Sequence, residues 1–274
     1  MTRVCATFIF LLFITNIFAQ KVKGSRAVTI SSREIASFET IEVDSSIDIF
    51  LTYGNQSALE IEADDNLHEF ITTEVLSGNL RISASQEFSS YKKLSVKITY
   101  TSDLKIITCT DDSSITALQD IVLADFTFKN SGSSKIFAVV RAPVFNMISN
   151  GKAKAELNLT SEKSTIQLSK NASIKALISS KDLTFDLYDK SSADIEGDIN
   201  NLTLRLDHNS KFNGKNLTAV NANIVAEGSS STSIHIATKA KVEASSKSEI
   251  EFYGEPKFDI VKFTGSAKLS RKPF

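Results

Sequence analysis

Lys170, Asp189 and His208 follow one another at nineteen-residue steps. An ammonium, a carboxylate and an imidazole in contact could pass a proton between them. Glycoside hydrolysis would further require two carboxyl groups about 5–9.5 Å apart. The competing assignment is a surface ion pair beside a solvated histidine, worth ~0–1 kcal/mol. We expect the second, because the three lie in the polar stretches "SKNAS", "YDKSS" and "DHNSK". Asp111-Asp112 is another acidic spot and reads as a solvated turn. Tryptophan is absent, so Tyr53, Tyr91, Tyr100, Tyr188 and Tyr253 are the candidate platforms for sugar rings. Tyr188 and Tyr253 flank turns, where surface exposure and core packing are equally open readings.

Other chemistries find little support. His68, His208 and His235 are far apart, and Cys109 is the one cysteine outside the N-terminal apolar run that holds Cys5, so no structural zinc spacing is present and no metal is expected. "DIEGD" and the Asp64-Asp65 pair lack a calcium-loop pattern. Neither a phosphate-binding glycine loop nor a serine nucleophile elbow occurs, and no cofactor is expected. Five Asn-X-Ser/Thr triplets allow glycosylation without requiring it. A formal net charge of −1 argues against a nucleic-acid partner.

The elements that would position these residues repeat. With Ile136 as anchor, the equivalents are Ile115, Ala155, Ile174, Ala193 and Phe212, spaced by 21 residues once and 19 thereafter. Eleven residues beyond the anchors come Phe126, Met147, Ile166, Phe185, Leu204 and Asn223. "NSGSSK", "SNGKAK" and their counterparts are the turns, and the two extra residues of the long interval are expected in the turn. A unit of about twenty residues with period-two strands cannot bury its own apolar face, but stacked copies can. The reading is an all-β, right-handed parallel β-helix or β-solenoid with rungs of about 19–21 residues, preferred to a β-sandwich. Proline is scarce, as continuous ladders require. Cys109 falls in the first clear rung and reads as a small buried hydrophobe.

The start of the chain is a targeting segment. Thr2-Arg3 precedes an uncharged apolar run from Val4 to Ala19, the pattern of a secretory signal peptide cleaved after Ala19. Residues 20–32 are polar and are expected as a flexible leader. Residues 33–108 are a β region, either first rungs or a separate unit, with "DDNLHEFITTEVL" readable as a short helix or a strand. Residues 109–271 are the regular repeats. No later stretch is long and apolar enough to span a membrane. An exported chain retaining one cysteine holds no internal disulfide.

"SFETIEVDSSIDIFLTYGNQSALEIEADDNLHEFITTEV", followed by "SGNLRIS", "KLSVKITY" and tandem polar turns, resembles the head GIN domain family. The likeness runs from about Arg33 to Arg271. It implies a β-helix-like fold in an exported bacterial protein of the periplasm, cell surface or medium, with an adhesin label and no catalytic residues to carry over. No room for a translocator barrel is expected. The combined expectation is a non-enzymatic envelope or surface module for binding or structure. Its partner would be a surface glycan or an envelope protein, and homo-oligomers are allowed. A polysaccharide-active β-helix enzyme is the alternative.

Overall fold

The computed structural model describes residues 21–273. The expected signal peptide lies outside them. The chain forms a β-solenoid of about nine turns, 66% strand and 2% helix. Its regular part stacks long strands such as Lys154–Leu168, Ser173–Leu187 and Ser192–Leu206, in which buried and exposed residues alternate. Each strand pairs in parallel with the next, so equivalent side chains pile into columns. The anchor column holds in register: Ile115 pairs with Ile136, then Ala155, Ile174, Ala193 and Phe212 follow in order. All six are buried.

The second column holds only in its middle. Met147, Ile166, Phe185 and Leu204 stack as expected. Phe126, however, pairs with Phe145, and Phe128 pairs with Met147. The two extra residues are not in the turn. Ser114–Thr116 pair with 135–137, whereas Ile121 already pairs with Val140, so the surplus falls within 117–120. The turn cannot absorb it, because successive turns lie against one another backbone to backbone and must keep one length. At the other end Leu204 pairs with Ile224 rather than Asn223. A bulge opposite Asp194–Gly197 takes in one additional residue.

The turns explain the serine-rich composition. Each is four residues long, and seven are closed by a backbone bond from the fourth N–H to the first C=O, as from Ser113 to Thr110 and from Ser191 to Tyr188. The fourth residue faces the interior where the chain folds back, and only small side chains fit. Ser113, Ser134, Ala153, Ala172, Ser191, Ser210, Ser230 and Ser248 form this column, each at most 1% exposed. The second residue has positive φ in every copy, from Asp111 at 54° to Gly265 at 73°.

Residues 33–108 belong to the same solenoid. Thr40–Val43 lies between Asn79–Ala84 and Ile106–Cys109, parallel to both. Asp48–Tyr53 likewise lies between Leu94–Tyr100 and Ser114–Ala117. The earlier stretch of chain is thus inserted between two later rungs. Beyond the outermost of these rungs the pairing turns antiparallel. Ala58–Asp64 covers Leu94–Tyr100, Val28–Arg33 covers Ala58–Asp64, and Ile71–Leu76 covers Asn79–Ala84. A 3-10 helix, Asp65–Phe70, inserts Leu67 fully into this end. "DDNLHEFITTEVL" is therefore part helix and part strand.

Two strands begin within the segment 20–32, expected as a flexible leader. Val22–Lys23 and Val28–Arg33 are strands, since the cap needs an edge partner for Ala58–Asp64. Buried Asp64 fixes this segment by accepting from the N–H groups of Arg26 at 2.7 Å, Lys92 at 3.1 Å and Lys93 at 3.0 Å. Burial pushes its carboxyl pKa up, but the backbone donors outweigh burial and hold it below the ordinary value.

Candidate functional site

The structure brings Lys170, Asp189 and His208 together as one column, and the column is a backbone feature. They are the positive-φ residues of consecutive turns, at 59°, 62° and 57°. Lys190 N–H donates to the Lys170 carbonyl, and Asn209 N–H to the Asp189 carbonyl, both at 2.8 Å. The side chains do little with one another: Asp189 Oδ2 accepts from the Lys170 backbone N–H at 3.1 Å, and the His208 ring lies 3.4 Å from Asp207. All three are exposed. Tyr188 is half-buried beneath the Arg205 guanidinium, 5.8 Å from its ring centre. Tyr253 is 8% exposed, belongs to another face in register with His235, and carries Lys215 over its ring at 5.5 Å. A long basic side chain thus lies over each ring.

Cys109 is fully buried with its sulfur 3.0 Å from Ser113 Oγ, and burial pushes its thiol pKa up. Among the described residues no group of three or more His, Cys, Asp or Glu is placed to hold a metal ion.

A concave site lies elsewhere, where the N-terminal cap meets the first turns. Its volume is about 720 Å³. One wall is the segment 84–91, contributing Ser85, Gln86 and Tyr91; the floor is Ser45, Ser46, Asp111, Asp112, Gly132 and Ser133. The wall is held by a bond from Ser85 N–H to the Phe70 carbonyl at 2.9 Å and by pairing of Phe88–Ser89 with Val22–Lys23. Ser45 Oγ accepts from Ala84 N–H at 3.1 Å and joins wall to floor. Tyr91 is 40% exposed. Lys21 and Glu87, 3.0 Å apart, sit at the rim.

The floor has an unusual electrostatic arrangement. The hydrogen bond with Asp44, burial, and the charges of Asp44 and Asp112 push the Asp111 carboxyl pKa up. Arg81 lies 3.9 Å from Asp44 and balances part of this charge. The cleft therefore offers an aromatic side chain, hydroxyl and amide groups, and carboxyls. Such a set can form bidirectional hydrogen bonds with a polyhydroxylated ligand. Sequence reasoning named Asp111-Asp112 as a solvated turn and Tyr91 only as one tyrosine among five. The usable signal was "QEFSSYKK", an aromatic, serine-rich stretch lying outside every column.

A second concavity of about 690 Å³ lies on the outer face of the repeats. Phe137 and Leu177, 38% and 49% exposed, give it an apolar floor with Ala138 and Ala176, and Glu156, Asp194 and Glu196 line its sides. Neither concavity includes Lys170, Asp189 or His208.

Comparison with known proteins agrees with the architecture. The family model described as "Putative auto-transporter adhesin, head GIN domain" matches residues 37–256. A solved structure from Parabacteroides merdae, described as a putative adhesin, is 16% identical with a TM-score of 0.70, covering 93% of this chain and 100% of that one. Another, from Parabacteroides distasonis and described as a putative lipid binding protein, is 15% identical with a TM-score of 0.66, covering 92% and 100%. A Bacteroides fragilis structure described as a putative adhesin is 14% identical with a TM-score of 0.59, covering 92% and 100%. At these identities the likenesses show the fold. No curated protein matches the sequence.

Proposed function

The chain belongs to the head GIN domain family, and we propose that it is an exported, non-enzymatic binding module that holds carbohydrate in the cleft beside Tyr91. The observation that carries this is Tyr91, 40% exposed, lining a concave site together with serines and carboxyls. Stacking of a sugar face on the ring supplies apolar contact, and the floor supplies orientation. Binding without turnover is favoured because the family model and the solved neighbours are described as adhesins or binding proteins and none as an enzyme. Export is favoured by the apolar run at Val4–Ala19. No helix among the described residues is long and apolar enough to cross a membrane.

The test is a broad glycan array with released sugar measured in the same wells. Retention without release supports the reading, and release of product contradicts it. A second reading, lipid binding, is favoured by one observation, the Phe137–Leu177 groove, together with the description of the Parabacteroides distasonis relative. It predicts that Phe137→Glu abolishes uptake of a fluorescent fatty acid while glycan retention is unchanged.

A further inference from the structure

The two ends of the solenoid are built differently. The N-terminal end is closed by antiparallel strands and by Leu67. At the other end the last rung is Lys257–Phe263 with Lys268–Arg271, and each strand has a partner on one side only among the described residues. Phe258, Ile260 and Phe263 continue the columns of Ala240, Val242 and Ala244. Those three are buried, whereas Ile260 and Phe263 are 51% and 43% exposed. Among the described residues, a row of backbone groups without a strand partner thus borders the exposed Ile260 and Phe263.

The charge on this end separates the possible occupants. Residues 257–272 carry five basic side chains and one acid, in a chain of net charge −1. Lys268, Arg271 and Lys272 are paired with Glu249, Glu255 and Glu251. Lys257 and Lys262 make no ion pair among the described residues, and both are exposed. Lysine on an open edge repels an identical edge, so a second copy meeting this one end to end would oppose like charges. An acidic strand would not, and repulsion of the wrong partner is itself a source of specificity.

We propose that the last rung is a docking edge for an extended, acidic β-segment of a partner protein. The segment adds as the next rung, with alternate apolar side chains covering Phe258, Ile260 and Phe263 and glutamate or aspartate facing Lys257 and Lys262. This is β-augmentation, in which main-chain bonds give affinity and alternate side chains give selectivity. It lies at a different place from the Tyr91 cleft and does not depend on it.

The test uses two labelled peptides, one alternating valine with glutamate and one alternating valine with lysine. Binding is read by fluorescence anisotropy and located by amide hydrogen exchange. The glutamate peptide is expected to bind about tenfold or more tightly than the lysine peptide, with weakening in salt, and to slow exchange in Lys257–Phe263. The Lys257→Glu/Lys262→Glu variant should reverse the preference. Equal binding of both peptides, or protection away from the last rung, overturns the proposal. So does self-association of the unmodified protein that Ile260→Lys abolishes, which would make a second copy the occupant.

Discussion

Gly132 rests on Asp111. A Cβ on Gly132 would come within 2.8 Å of the Asp111 backbone nitrogen, and Ser133 N–H donates to the Asp111 carbonyl at 2.7 Å. The floor of the Tyr91 cleft is therefore two turn backbones in contact, and the turn ladder that spaces the rungs also shapes the site.

Gly132→Ala should destabilise the protein more than Gly78→Ala. Both glycines have positive φ, 69° and 78°, but Gly78 has open space where a Cβ would go. The conformational cost alone is about 1–2 kcal/mol. At Gly132 the neighbouring backbone must also shift, and we expect a total of about 3 kcal/mol or more. Urea midpoints at constant slope measure the difference.

The column register predicts a sharp contrast at Phe185. It is fully buried between Ile166 and Leu204, with its ring 5.4 Å from that of Phe212. Phe185→Ala should cost about 3–5 kcal/mol, and Phe185→Asp should prevent folding. Lys190→Asp, on an exposed turn, should change stability by under about 0.5 kcal/mol. A folded Phe185→Asp protein, seen by circular dichroism, would refute the register.

Two carboxyls predict opposite effects of pH. Asp64 is held below the ordinary value, so its contribution is present above about pH 4 and is lost as pH falls through the folded pKa. Asp64→Asn should therefore lower the melting temperature at neutral pH, with the difference shrinking in acid. Asp111 is pushed up, so the folded state binds its proton more tightly than the unfolded chain does. Its ionisation lowers stability as pH rises above about 4. Asp111→Asn should raise the melting temperature at neutral pH and converge with the unmodified protein in acid. Melting curves across pH read both signs.

The repeat was legible because identical spacing repeats identical burial: Ala155, Ile174 and Ala193 could be aligned before any contact was known. The slip at Phe126 was not, since a loop at 117–120 and a longer turn give the same interval between anchors. Insertion of Thr40–Val43 between Asn79–Ala84 and Ile106–Cys109 was hidden for a different reason. Alternation says which residues face inward and not which strand lies alongside. Lys170, Asp189 and His208 were found together because they share a backbone conformation, which sequence alone could not tell from shared chemistry. The Tyr91 cleft was missed because its wall, 84–91, has no period at all.

The most direct test compares two single variants on whichever glycan the array retains, by isothermal titration calorimetry. The account predicts that Tyr91→Ala weakens binding by about tenfold or more, as loss of a stacking aromatic should, while Asp189→Ala binds as the unmodified protein does. Retained binding in Tyr91→Ala together with loss in Asp189→Ala would contradict it and return the site to the turn ladder.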